Sequence, residues 1–588
     1  MPPTELAADS TSAERWLWRD WAAALALSLG TAAVVVWQNS RLAVLWDISY
    51  VLENSYRISI GQIPYRDFPF PYAPITFLIQ ALLIRLSGRV FFHQVLYCAI
   101  VGGVATILTW LILLQVLRGA EIAKFRLVAF LLAAPLTVLG IYCVLPHPFY
   151  DPDCSFVILC CVILLLQLEG KNFPPLRAFL TGMLFVVPLF VKQNTGLAFL
   201  AAVAGAIVIL IANAAWHGRR AAGYASHLAG MATGFVLAAL ILHFTVGLNN
   251  YWHWTIEFAS SRRLPGVSDM FAPYENPILL LWFAAFALGA LLLRSGMGRG
   301  RRLLSLLAVA LVATPFAWAV LYLLVDDNPA ERAERLLALW PVVMIASLLF
   351  ALWNLRRGPS VARLLPFILI ATVQGAFLSQ QLWGSTYAIW PLLIILLAGI
   401  LAELFKLAGE KSEREIELLA GAAALCMLVS GGFYVASHER LNYADLSSGE
   451  TARSTLPALA GLSMRGPWIP QFEELVRFTD REIPRNQGLL MIPGEDLFYY
   501  STGRRPQFPA LMFDHTVNPY SPQEILEISR RRNICWLVVK KNLQLTADPV
   551  ENKSHLLDLL RVDFSPFQTL ANYDIYRRNS GGACDKEY

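Results

Sequence analysis

The residues of this chain best suited to chemistry are charged side chains standing at the edges of apolar runs. Asp47 comes shortly after the apolar run 21 to 37, inside WDISYVLENSYRISIGQIPYRDFPFPYAP (46 to 74). A carboxylate placed there can face an aqueous cavity and a lipid headgroup together. Within hydrogen-bond reach of an incoming hydroxyl or amine, it can take the proton that the nucleophile loses. The plainer alternative is a surface acid near a helix start, where the helix dipole favours it mildly. After Asp47, Tyr50, Val51, Asn54 and Ile58 recur at helical spacing as far as Gly61. The chain then turns through Pro64, Tyr65, Arg66, Asp67, Pro69, Pro71 and Pro74, a stiff loop rather than a flexible linker.

Three more stretches have the same character. LPHPFYDPDCSF (145 to 156) sets His147, Asp151 and Asp153 between two apolar runs. Acids so near a membrane boundary are costly unless they face water or a partner. Helix capping is the competing role for Asp153, and hydrogen-bonded anchoring for His147. Lys192, in LFVKQNTGLA, is an ammonium between apolar runs that either snorkels to the interface or pairs with an anion. A departing phosphate is such an anion, because cation contacts stabilise its growing charge, and Gln193 and Asn194 could bond the same group. NNYWHWTIEFASSRRLPGVSDMF (249 to 271) carries Trp252, His253, Trp254, Glu257, Arg262 and Arg263. Its aromatics suit membrane anchoring, and its two arginines suit bidentate phosphate contacts. Asp326, Asp327, Arg332 and Arg335 border a turn where capping and ion pairing suffice. No Gly-rich phosphate loop, HExxH or nucleophile elbow is present, so a cytoplasmic nucleotide-sugar site has no visible residues.

The elements that must position these groups are membrane helices. Of 588 residues 56% are hydrophobic and 15% charged, with a mean hydropathy of +0.52, too apolar for a soluble chain of this length. The net charge of +5 is spread in short clusters between apolar runs, which excludes a continuous nucleic-acid-binding stripe. Apolar runs at 21–37, 90–117, 125–145, 154–168, 178–191, 194–215, 225–247, 277–294, 303–325, 333–353, 364–382, 387–405 and 416–437 predict about 13 transmembrane helices. The first run is longer than the core of most secretory signals and reads as a retained span. Six of the eight cysteines lie in or beside apolar runs and none forms a CxxC pair, so neither a zinc site nor a disulfide framework is expected.

Orientation follows from one short segment. PITFLIQALLIRLS (74 to 87) has the length of an interfacial or re-entrant helix. If it lies in the interface, the basic clusters around Arg118, Lys171, Arg219, Arg294, Arg356 and Lys406 fall on the side of Arg15 and Arg19, as the positive-inside rule requires. If it crosses, they all face outward. The first choice places residues 38–89, 146–153, 248–276, the turn at Lys192 and everything after about 438 outside, at the periplasm of a Gram-negative cell. From His438 the apolar runs give way to short β-type runs (488–493, 534–539, 573–576) and helix-like stretches (470–483, 521–532), a small α/β domain. The expected architecture is thus mostly α. It comprises a cytoplasmic N-terminus (1–20), a transmembrane domain (21–437) with a catalytic outer loop (38–89), and a C-terminal periplasmic α/β domain (438–588). The protein is expected in the inner membrane, crossing it many times.

An Asp just after the first span, then a helix, then G-x-x-P-Y-x-D-F (Gly61 to Phe68) and a proline-led apolar helix, resembles the GT-C superfamily of membrane glycosyltransferases. The resemblance is to bacterial members related to protein mannosyltransferases and to lipid A core and aminoarabinose transferases. It covers most of the chain, although its sharp part is the first outer loop. Many relatives carry an acidic pair there, whereas Ile48 follows Asp47 here. The resemblance implies a GT-C fold and transfer of a sugar from a polyprenyl-phosphate carrier to an envelope glycan, lipid or protein. It implies Asp47 as the base, with inversion at the anomeric carbon through an oxocarbenium-like transition state. As substrate-binding residues it implies Asp153, with Asp151 in reserve, together with His147, Lys192, Tyr65, Arg66, Asp67, Arg262 and Arg263. Asp47 and Asp153 are the ligands to expect if a divalent cation takes part; no other cofactor is implied. GEDLFYYSTGRRPQFP (494 to 509) resembles a recurring structural or acceptor-facing stretch of such outer domains. The rival from another class is a transporter or flippase of lipid-linked glycans. That would show paired broken helices in two related halves and ionisable groups at mid-membrane, a pattern this sequence lacks. A non-catalytic assembly protein is the third reading.

Overall fold

The structure is a computed structural model that describes residues 16–169, 173–262, 266–294, 302–325, 336–379, 386–409, 412–438, 441, 443–446, 448–546, 553–579 and 584. It is mostly helical, with a small α/β region at the C-terminal end. Helix α1 (Trp18–Asn39) is followed by α2 (Leu45–Ser59), α3 (Ile75–Ser87), α4 (Phe91–Arg118), α5 (Phe125–Ala133), α6 (Leu136–Leu139) and α7 (Tyr150–Gln167). Every expected apolar run carries helix. Among the described residues 8 helices are long and apolar enough to cross a membrane: α1, α4, α7, Gln193–Trp216, Ala222–Thr245, Leu303–Val325, Trp390–Ala408 and Glu413–Ser437. The other runs carry shorter helices. Pro135, which lacks an N–H, separates α5 from α6, and Gly140 ends α6 well before the expected limit at 145. Run 178–191 is split in the same way, into Pro175–Leu184 and Val187–Val191.

Two groups of hydrophilic contacts mark the two ends of α1. At the start of α1, Asp20 lies 3.5 Å from Arg126, Lys124 pairs with Glu417 at 2.8 Å, and Ser305 bonds Glu415 at 2.9 Å. Nearby loops are tied by Glu169, which accepts the Val361 N–H at 2.6 Å. At the far end of α1, Gln38 donates to the Val435 carbonyl (2.9 Å) and Asn39 to that of Gly461 (3.0 Å). The segment carrying Lys124 and Arg126 therefore lies at the start of α1, and the C-terminal region lies at its other end.

α3 is 13 residues long and runs back along α2, where Arg85 caps the carbonyls of Ser59 (2.7 Å) and Ile58 (3.3 Å). Thr76, Phe77, Gln80, Ala81 and Ile84 are turned inward. Leu78, Leu82 and Leu86, four residues apart, form an exposed leucine stripe. An apolar stripe facing out from a short helix suits the boundary between headgroups and acyl chains.

The C-terminal region packs helices Trp468–Glu482 and Pro522–Arg531 with a four-stranded sheet. With β1 (Thr451–Arg453) and β2 (Ser463–Arg465) forming a small antiparallel pair, the sheet comprises β3 (Gly488–Ile492), β4 (Ile534–Lys540), β5 (Phe564–Thr569) and β6 (Tyr573–Arg578). Its order is β3-β4-β6-β5, with β3 parallel to β4 and the other pairs antiparallel. Ser521 and Glu524 form the capping box that starts the second helix, as Ser-Pro-x-Glu suggests. One expectation is corrected here: Cys535, on β4, is joined to Cys584 by a disulfide. The other six cysteines, all in or next to the membrane helices, are free thiols. The sequence hid the bridge because its two cysteines are far apart in the chain, with no spacing motif to mark them.

This region is docked onto α2. Leu45, Ile48, Leu52 and Tyr56 belong to the same apolar cluster as Leu497, Phe498, Trp536 and Val538. The Ser49 hydroxyl donates to the carbonyls of Gly494 and Asp496 at 3.1 Å, and Gln544 bonds both the Leu45 N–H (2.7 Å) and the Ala43 carbonyl (2.8 Å). Behind this contact Lys540 is buried between Glu495 (2.6 Å) and Asp496 (2.7 Å), and the Tyr573 hydroxyl donates to Asp496 at 2.9 Å. GEDLFYY is therefore a buried docking segment. Glu53 accepts the Tyr500 N–H at 3.1 Å, and its burial pushes its carboxyl up to about 8. Arg57, also buried, is lowered to about 9 and donates to the Pro509 carbonyl at 2.6 Å.

A carboxyl raised on folding stabilises the native state fully below its ordinary value near 4.5, and that contribution is lost as pH rises through about 8. Glu53→Gln, which stays neutral, should therefore gain on the wild type by about 1 kcal/mol per pH unit across that window. Thermal unfolding of the two proteins in detergent between pH 5 and pH 8 measures it; a constant difference would contradict the assignment.

Candidate functional site

Asp47 sits in the first turn of α2, where a carboxylate favours the helix dipole, and is only partly buried. The Tyr443 hydroxyl donates to its Oδ2 at 2.5 Å. Tyr443 is itself fixed, because its carbonyl accepts from the Thr546 N–H (3.0 Å) and hydroxyl (3.1 Å). The base candidate is thus held by the linker after the last membrane helix and by the C-terminal region, a contact that no local pattern could have shown.

Asp151 lies in the first turn of α7 and forms a buried ion pair with Lys192. The Lys192 ammonium also stands 5.7 Å from the centre of the Tyr150 ring. Lys192 is placed by a tight turn between two helices: Gly196 packs against the Pro188 carbonyl so closely that any Cβ would collide with it. Gln193 donates to the Pro71 carbonyl at 3.3 Å and Asn194 to that of Leu378, so both amides serve the scaffold. Tyr387 is buried, and the charges of Asp151 and Asp47 both act on its hydroxyl.

Asp153 is held differently. Its carboxylate accepts from the hydroxyls of Thr76 (2.8 Å), Tyr97 (2.8 Å) and Tyr142 (2.6 Å), and the residue is buried. These donors come from α3, α4 and the segment before α7, so Asp153 is a knot that fixes the start of α7 and with it Asp151. Asp151, by contrast, is paired with a charged partner, Lys192. A cation shared by Asp47 and Asp153 does not fit this donor set, since Asp153 is wrapped by three hydroxyls. Among the described residues no three His, Cys, Asp or Glu side chains converge as a metal site.

The remaining candidates are scaffold or lie elsewhere. Tyr65, at φ 66°, is buried among aromatics and donates to the Tyr72 carbonyl at 2.6 Å. Asp67 closes the turn by accepting the Ile63 N–H at 2.7 Å, and exposed Arg66 pairs with it at 3.1 Å. His147 is buried and its ring is lowered to about 3 by desolvation, so it stays neutral. Arg262 donates to the carbonyls of His515 (3.0 Å) and Asn518 (2.9 Å), stitching segment 248–262 to the C-terminal region. His253 pairs with Glu257 at 3.0 Å on an exposed surface. Arg263 and the turn with Asp326, Asp327, Arg332 and Arg335 lie outside the described residues.

Among solved structures the chain is similar to ArnT from Cupriavidus metallidurans bound to undecaprenyl phosphate, with 12% identity, a TM-score of 0.42, and coverage of 96% of this chain and 98% of that one. It is also similar to the archaeal oligosaccharyltransferase AglB from Archaeoglobus fulgidus in complex with an inhibitory peptide and a dolichol-phosphate, with 11% identity, a TM-score of 0.49, and coverage of 89% and 70%. No family model matches the sequence, and no curated protein does.

Replacing Asp153 by Ala leaves three buried hydroxyls without their acceptor, each costing on the order of 1 kcal/mol or more. The variant should unfold at a clearly lower temperature than the wild type, measured by tryptophan fluorescence in detergent. An unchanged transition would remove Asp153 from this structural role.

Proposed function

We propose that this protein is an inverting glycosyltransferase of the GT-C type, moving a sugar from a polyprenyl-phosphate carrier to an envelope glycan, lipid or protein at the periplasmic face of the inner membrane. The observation that supports the reading is the buried Asp151–Lys192 pair together with a partly open Asp47 held by Tyr443, both acids acting on the buried Tyr387. A base and a cation are what a displacement at a phosphate-linked carbon needs.

In the proposed step an acceptor hydroxyl or amine attacks the anomeric carbon. A new bond forms from acceptor to carbon, the bond from carbon to the carrier phosphate oxygen breaks, and the nucleophile's proton passes to Asp47. Lys192 stabilises the charge growing on the departing phosphate, and Asp151 offsets the buried ammonium when no phosphate is bound. One base and direct displacement give inversion. Orientation is supported by two features. Lys124 and Arg126 lie at the end of α1 away from α2, as positive-inside topology requires, and the disulfide of the C-terminal region suits an oxidising compartment.

Asp47→Asn keeps the size of the side chain and its contact with Tyr443 but cannot accept the proton. At equal protein level, glycan incorporation should fall at least about 100-fold. Mass analysis of envelope glycans and of the polyprenyl-phosphate pool in a deletion strain, complemented with either form, reads the outcome. Full restoration by the Asn form would remove Asp47 as the base.

A further inference from the structure

A cleft with about 30 Å³ of free space lies between α2, the proline-rich loop and residues 509–517 of the C-terminal region. Tyr50, Phe70 and Tyr72 give it aromatic walls, and Asn54 and Arg57 of α2 give it polar lining. Asp47, Tyr50, Asn54 and Arg57 recur at helical spacing, so the cleft runs along the face of α2 that carries Asp47. Arg57 is only 2% exposed. Its Nε donates to Gln62 Oε1 at 2.5 Å and its Nη1 to the Pro509 carbonyl at 2.6 Å, and its guanidinium carbon stands 4.0 Å from the centre of the Phe68 ring. These contacts hold the guanidinium in place but bring no negative charge. No carboxylate among the described residues forms an ion pair with it. Glu53, one turn earlier, is pushed up to about 8 and is mostly uncharged at neutral pH, whereas Arg57, at about 9, keeps its charge.

A buried cation held only by neutral dipoles and a ring is costly, and an oxyanion is what would complete it. The free space decides which kind. At roughly 10–15 Å³ for each water-sized group, the cleft admits about two oxygens. A carboxylate presents two, in the plane that a guanidinium fork matches, whereas a phosphate monoester brings three. The aromatic walls suit the apolar face of a sugar ring. At ~1.5 Å per residue, Arg57 lies about 15 Å along the helix from Asp47, so the group it holds belongs to a part of the acceptor beyond the attacking hydroxyl or amine. The carrier phosphate has its own cation in Lys192. We propose that Arg57 binds a carboxylate of the acceptor, which is therefore an acidic glycan whose uronate-type sugar lies against Tyr50 and Tyr72 while its nucleophile reaches Asp47. This inference rests on the transferase reading and names the class of acceptor.

The test uses the full-length protein in detergent with three probes, glucuronate, glucose 6-phosphate and glucose, and reads binding by ligand-observed NMR titration. Glucuronate should bind at least about 10-fold more tightly than glucose, the worth of one charge-assisted hydrogen bond, and more tightly than glucose 6-phosphate. Asn54→Asp supplies Arg57 with a carboxylate of its own and should abolish that preference. Equal binding of glucuronate and glucose by the wild type, tighter binding of the phosphate, or a preference that survives Asn54→Asp would overturn the proposal. These measurements need no carrier and no turnover, so their failure leaves the transferase reading standing. Full restoration of glycan incorporation by Asp47→Asn would instead strike that reading and leave glucuronate binding as it is.

Discussion

Everything at the site end depends on α2 being gripped along its length. A helix leaving a membrane with an acid in its first turn would ordinarily be a loose surface element. Here one stripe (Leu45, Ile48, Leu52, Tyr56) enters the core of the C-terminal region, and Tyr50, Val51 and Ile58 pack into the aromatic cluster of the proline loop. The polar residues on the same helix are consumed as well: Ser49 bonds two carbonyls, Glu53 a backbone N–H and Arg57 a carbonyl. Asp47 remains partly open and oriented by Tyr443. The rigidity that catalysis by a single base demands is thus supplied by a region remote in sequence.

Charge is handled at this end by a division of labour. Four buried carboxylates are matched by partners: Asp153 by three hydroxyls, Asp151 by Lys192, and Glu495 and Asp496 by Lys540. Breaking any of these would leave an ion uncompensated in a poorly solvating interior. Asp153 thereby steadies the first turn of α7, which also carries Asp151.

The helices were legible in the sequence because lipid imposes a simple rule, long apolar runs, and β3, β4 and β6 because buried runs alternate with helix-like stretches. The end of α6 departed from expectation because Pro135 and Gly140 stop a helix inside an apolar run. β5 went unread because Pro566 and its exposed residues mask a strand that lies at the sheet edge. At the site, Asp47 and Lys192 stood out as charges at membrane edges. Tyr443, Tyr387 and the different partners of Asp151 and Asp153 did not, since they depend on which groups meet across the chain. The Cys535–Cys584 bridge was hidden for the same reason.

The most direct measurement of the central claim is a structure of the full-length protein with a non-transferable polyprenyl-phosphate-sugar analogue bound. The account requires the phosphate against Lys192 and the anomeric carbon facing Asp47 with room for a nucleophile between them. A headgroup bound at the opposite end of the bundle, or one whose sugar lies beyond the reach of Asp47, would contradict it.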